Sequence, residues 1–259
     1  MLIALTRDVS TSFDRCELTH LARQPIDVER ARQQHLQYEN VLAHAGCRVE
    51  RLASDASMPD SVFIEDSAVV FDEIAIVTRP GAVSRRIETP AVAGTLRMYR
   101  DVQSIVEPGT MDGGDVLVVG HRVFVGRSSR TNGEGIRQMR GFLTPFGYVV
   151  EEIEVTGCLH LKSAVTALGD HLLLVNPAWL PMLPAESFRD FERLDVDPSE
   201  QMAANALRVA ETIVYPESFP RTLERLERRG LQVRAVDASE LQKAEGAVTC
   251  CSLIFREAL

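Results

Sequence analysis

A polar residue opens a β-rich run at near-constant intervals along this chain. The residues are Asp66, Asp112, His160, Asn205 and Cys250, in steps of 46, 48, 45 and 45 residues. A period of that length marks a repeat architecture, in which no unit can bury its apolar face without its neighbours. At the first four positions two apolar runs follow, split by turn residues: Ser67–Arg79, Asp115–Arg127, Ser163–Asn176 and Ala204–Pro216. Each reads as a β-hairpin. Helical patterns lie between hairpins: Asp27–Gly46 starts on a capping Asp, and Thr131–Gly147 and Arg221–Gly230, like it, close on Gly. The first run, "MLIALTR", and the last, "VTCCSLIF", each lack a hairpin partner and together complete a fifth unit. The expected fold is therefore α/β, a five-bladed β/α propeller with pseudo-fivefold repeats. Equivalent positions of such blades face one central channel. That would gather Asp66, Asp112, His160 and Cys250 in one place. No composition shift marks a boundary, so residues 1–259 are expected to form a single domain.

Composition narrows the function. No apolar run approaches the roughly 18–20 residues that span a bilayer, and the N-terminus lacks the basic region of a signal peptide. The net charge of −9 argues against a nucleic-acid partner and favours a small cationic one. Five cysteines (Cys16, Cys47, Cys158, Cys250 and Cys251) fit no disulfide framework and contain no CxxC pair. A reducing, cytoplasmic location is expected. Adjacent Cys250 and Cys251 sit too close for ordinary disulfide geometry, which leaves buried packing or a reactive thiol. Phosphate-binding, dinucleotide-binding, EF-hand and zinc-protease motifs are missing, so neither a cofactor nor a metal is expected.

The candidate chemistry follows from residue types. A cysteine attacks as the thiolate, and a nearby imidazolium or a cationic substrate favours that form. His160 could protonate a leaving group and later activate water. "VFIEDS" and "TMDGGDV" put Glu65, Asp66, Asp112 and Asp115 in apolar settings, where a carboxylate needs a hydrogen bond or a cation. They either cap turns locally or form a cage for a guanidinium, whose donors match carboxylates in fork geometry. Arginines in "RPGAVSRR" and "SSRTN" follow two hairpins and are either solvated loop charges or a site for an α-carboxylate.

The motifs "PDSVFIED", "TRPGAVSRR", "MDGGDV", "RTNGEG", "LHLKS", "AAN" and "TCCS", in this order from about Thr6 to Phe255, resemble the dimethylarginine dimethylaminohydrolases. Those enzymes belong to the guanidine-modifying superfamily, whose pentein fold is a five-bladed β/α propeller. The resemblance implies hydrolysis of asymmetric dimethylarginine or monomethylarginine to citrulline plus dimethylamine or methylamine, through a covalent cysteine thiouronium. It implies Cys250 as nucleophile, His160 as general acid and then base, and Asp66 and Asp112 as the guanidinium's holders. Asp112 stands where some bacterial members carry Glu. Arg85 and Arg130 would hold the substrate carboxylate, Asp60 and Glu65 its amino end, and Leu18 would lie on a loop closing the site. Cys251, one residue on along a strand, is expected to point away and pack. Asn205 is expected to be structural. A hydrolase of another guanidine, such as arginine, and a non-catalytic arginine binder on the same scaffold are the alternatives. A propeller stays a monomer or pairs through a blade edge, and a homodimer is kept open.

Overall fold

The computed structural model describes residues 1–180 and 187–257. Strand β1 (Leu2–Arg7) leads through helix α1 (Val28–His44) to β2 (Cys47–Leu52). Three similar stretches come next: β3 (Ala68–Val70), β4 (Ile74–Val77), α2 (Thr89–Leu96) and β5 (Asp101–Ser104); β6 (Val116–Val119), β7 (Arg122–Arg127), α3 (Gly133–Leu143) and β8 (Val149–Glu154); then a short α4 (Leu161–Ala164), β9 (Val165–Ala167), β10 (Leu172–Val175) and β11 (Glu192–Asp195). The chain ends with β12 (Leu207–Val209), β13 (Thr212–Pro216), α5 (Pro220–Arg228), β14 (Gln232–Val236), α6 (Ser239–Gln242) and β15 (Leu253–Arg256).

These strands make five three-stranded sheets with one plan. The first two strands of each pair antiparallel, as the four hairpin patterns require, and the third adds parallel to the second. A parallel neighbour needs a crossover, and α1, α2, α3 and α5 supply it in four of the blades. The fifth sheet runs β15-β1-β2, with Leu2 opposite Arg256 and Leu5 opposite Leu253. The two runs left single in the sequence thus close the ring on each other. The chain is a five-bladed β/α propeller.

Helix starts follow local chemistry. The Asp27 carboxylate accepts the Glu29 and Arg30 N–H groups at α1, and Asn132 accepts Gly135 N–H at α3. Buried apolar clusters fill the spaces between blades and helices. One joins Ile3, Leu5, Leu253 and Phe255 of the closing blade to Ile64, Val92 and Leu96 of the next. Residues from the first strand of every blade line a central cavity of about 340 Å³. No helix among the described residues is long and apolar enough to cross a membrane.

Candidate active site

The five periodic positions all fall just ahead of the innermost strands, which explains their convergence. Asp66 lies in a 3-10 turn, Ile64–Ser67, before β3. Asp112 stands immediately before a second turn, Gly113–Asp115, ahead of β6, and His160 immediately before α4, ahead of β9, so that neither side chain is spent on capping. Asn205 and Cys250 precede β12 and β15. Cys250 is held by its backbone: its N–H donates to Ala247 O at 3.2 Å, and its carbonyl accepts from Glu65 N at 3.1 Å. Cys251 is buried in the apolar cluster that includes Tyr38 and Leu42 of α1. Cys250 packs partly against the same cluster but, unlike Cys251, also lines the cavities described next.

Seven of the nine residues expected at the site line one recess of about 30 Å³: Cys250, His160, Asp66, Asp112, Asp60, Arg85 and Arg130. His160 Nε2 lies 3.1 Å from Asp112 Oδ2, and its Nδ1 lies 3.9 Å from Asp66 Oδ1. Asp112 Oδ1 accepts Gly81 N–H at 2.8 Å, and Asp66 Oδ1 accepts Gly114 N–H at 3.0 Å. Gly114 is needed for this approach, because a Cβ there would sit 2.5 Å from His160 Nδ1. Cys250 and His160 also line a larger cavity of about 470 Å³, bordered by Trp179, Met202 and Phe219.

The electrostatics oppose the two reactive groups. Burial lowers the His160 pKa, but Asp66, the hydrogen bond to Asp112, and the charges of Asp115 and Asp112 outweigh it and push it up to about 9. Burial, with the negative charges of Glu65 and Asp66, pushes the Cys250 thiol up to about 12. Burial would raise the Asp66 pKa, yet His160 and Arg85 hold it down at about 2. Asp60, chiefly through burial, is pushed up to about 6. The recess thus holds imidazolium, carboxylates and a neutral thiol near neutral pH. Asp66, Asp112 and His160 also offer ligand atoms within 4.8 Å of one another. That set could serve a divalent cation, but Arg85 and His160 already sit against the two carboxylates.

Three expected residues, and the undecided carboxylate of Asp115, take places the sequence did not indicate. Glu65 does not line the recess with Asp60. Its carboxylate meets Lys162 Nζ at 2.5 Å and Thr249 Oγ1 at 2.9 Å, on the partition between the larger cavity and the central one. The reason is the 3-10 turn, which sends neighbouring Glu65 and Asp66 to different sides. Arg85 lines the recess but is not a free carboxylate receptor. Glu88, three residues on, takes its Nε and Nη2 at 3.1 and 2.8 Å, Asp66 takes Nη1 at 2.5 Å, and the Asp60 and Phe63 carbonyls accept from Nη2. Leu18 is half-buried against the α1 cluster and does not line the recess; its neighbour Glu17 does. Asp115 lies outside the recess and accepts from the Ser128 and Thr131 hydroxyls and Leu161 N–H. It anchors the segment that carries His160 and the loop that carries Arg130.

Asn205 borders the larger cavity and is bonded as a structural residue would be: its Nδ2 donates to Thr249 Oγ1 and Lys162 O, and its Oδ1 accepts Thr249 N–H. Lys162, Thr249, Glu17 and Glu245 border the site without having been singled out, and Glu88 lies behind it, bonded to Arg85. Lys162 lies two residues past His160 and Glu88 one short turn past Arg85, so local spacing could have pointed to both. Nothing in the sequence links Glu17 to Glu245.

The chain matches the family model described as N,N dimethylarginine dimethylhydrolase, eukaryotic, over residues 14–194. It is 38% identical to the N(G),N(G)-dimethylarginine dimethylaminohydrolase of Streptomyces coelicolor, over 98% of this chain and 97% of that protein. It is 36% identical to the protein of that name from Pseudomonas aeruginosa, over 88% and 90% respectively. A structure of the Pseudomonas aeruginosa protein, a mutant complexed with citrulline, aligns with a TM-score of 0.92 at 35% identity, covering 97% of this chain and 98% of that one.

Proposed function

The chain belongs to the dimethylarginine dimethylaminohydrolase family, and on that premise we propose how its own residues carry the reaction. The reaction is hydrolysis of N-omega-methylated arginine at the guanidino C–N bond, giving citrulline and dimethylamine or methylamine. What supports the assignment of roles is the meeting of Cys250, His160, Asp66 and Asp112 in one recess.

Asp66 and Asp112 receive the substituted guanidinium, whose charge favours the Cys250 thiolate, and the thiol proton passes to solvent because His160 is already protonated. The sulfur attacks the guanidino carbon to give a tetrahedral adduct. His160, an imidazolium before substrate enters, gives its proton to the methylated nitrogen. That C–N bond breaks, the amine leaves, and an S-alkyl thiouronium remains on Cys250. Neutral His160 then takes a proton from water, whose oxygen adds to the same carbon. Collapse breaks the C–S bond, and citrulline leaves after losing a proton to solvent. Arg130 is the recess cation with the most exposed guanidinium and takes the substrate carboxylate, with Arg85 behind it as a strut for Asp66. Asp60 takes the amino end.

One catalytic propeller over residues 1–259 accounts for the reading. Five unbridged cysteines fit a reducing cytoplasm. A homodimer would use an outer strand such as β2 or β8, at the free edge of its sheet.

A product assay tests the proposal. Purified protein is incubated in parallel with asymmetric dimethylarginine, monomethylarginine and arginine, and citrulline and amine are quantified. Citrulline with dimethylamine, lost in Cys250→Ser and weak with arginine, is expected. Full turnover in Cys250→Ser would overturn the role of the thiol.

A further inference from the structure

The side chain of Glu245 reaches across the molecule to a loop more than two hundred residues away. Its Oε2 accepts Thr19 N–H at 2.9 Å, and its Oε1 accepts the N–H groups of His20 and Leu21, both at 2.5 Å. Three successive amides turned on one carboxylate form an anion nest. Glu245 is also one of two non-glycine residues with a left-handed backbone among those described, at φ 61°. A side chain at that backbone angle is strained, and strain kept at a site border calls for an explanation.

The loop so gripped crosses the recess. At one wall, Glu17 N–H donates to both Asp60 oxygens at 3.1 and 3.3 Å. At another, Arg130 Nη2 donates to Thr19 Oγ1 at 2.9 Å. Glu17 and Glu245 both line the recess, and Glu245 stands five residues before Cys250. The same segment holds the loop's far end, through Lys243 Nζ to Pro25 O and Glu240 to Asp27 N–H.

We propose that Glu245 is a positioning residue for the reaction: its carboxylate clasps the Thr19–Leu21 amides and so holds the loop over the substrate recess. The clasp acts on substrate retention through the loop, and Glu245 touches no reacting atom. This inference rests on the recess being the substrate site.

Glu245→Gly separates clasp from strain, since it keeps the left-handed backbone and removes the carboxylate. Hydrogen exchange of the peptide covering residues 16–26 is followed without substrate, beside steady-state kinetics with asymmetric dimethylarginine. Loss of three amide bonds to a charged acceptor should speed exchange of that peptide at least about tenfold and raise KM about tenfold, with kcat within about twofold. Exchange elsewhere should not change. Glu245→Gln, with one acceptor oxygen, should fall between. Unchanged exchange in the peptide overturns the clasp, whatever the kinetics. Faster exchange with unchanged KM overturns its part in substrate retention. A parallel fall in kcat with faster exchange throughout the chain assigns Glu245 a general structural role and also overturns it. Failure of wild-type protein to turn over dimethylarginine would count against the reading of the recess alone, because the exchange measurement needs no substrate.

Discussion

In the proposed mechanism Cys250 becomes a nucleophile only when a cation arrives. Burial and the negative charges of Glu65 and Asp66 push its thiol up to about 12, while Asp66 and Asp112 help push neighbouring His160 up to about 9. Thiolate absorbance should therefore be almost nil near neutral pH in the free protein and should rise when an unreactive arginine analogue binds. No rise would mean that substrate charge does not activate the thiol. His160 carries a pH-dependent part of the stability. Its folded pKa lies above the unfolded value of about 6.5, so its stabilisation is complete below that pH and is lost as pH rises through about 9. Tm should fall through that range, and His160→Gln should remove that component. At this scale the sequence was legible where position along the repeat decided the outcome, as for Cys250 beside His160, Asp66 and Asp112; strand alternation does not separate Cys250 from Cys251, because both lie in a turn ahead of β15. It was silent where side-chain direction decided, as for Glu65, which turns to Lys162 although Asp66 beside it faces the recess.

Elements were legible where local chemistry starts or stops them. The four hairpins follow from apolar runs broken by turn residues, and α1 from its Asp27 cap; the cap of α3, Asn132, was not singled out in the sequence. Asn132 does more than cap. Its Oδ1 accepts from both Gly135 N and Thr110 N, and its Nδ2 donates to Pro108 O. It ties α3 to the stretch leading into Asp112. Asn132→Ala should destabilise the protein by about 1–2 kcal/mol, read by chemical denaturation. A smaller change would mean that those bonds are replaced by water. Helix α2 escaped notice because "TPAVAGTL" is nearly all apolar or small and shows no polar face to mark a helical period. It is recognisable as a helix only by what it covers, with Val92 and Leu96 buried against the blade.

The ring is closed by β15 beside β1, which makes the last blade a seam between the two ends of the chain. Phe255 is buried there, packing edge-on against Tyr99 at 5.1 Å in the cluster shared with the neighbouring blade. Phe255→Ala should lower stability by about 3–5 kcal/mol, with the loss seen as one cooperative transition. A separate early transition would show that the closing blade unfolds on its own. The period, the hairpins, the polar residue ahead of each inner strand and the unpaired end strands were all determined by the sequence alone, because spacing along the chain becomes angular position in a ring. Tertiary structure alone decided which carboxylates face the recess, that Glu88 captures Arg85, and that Glu245 reaches a loop near the other end of the chain. Those outcomes depend on backbone turns and on partners brought close by folding, and spacing along the chain carries no record of either.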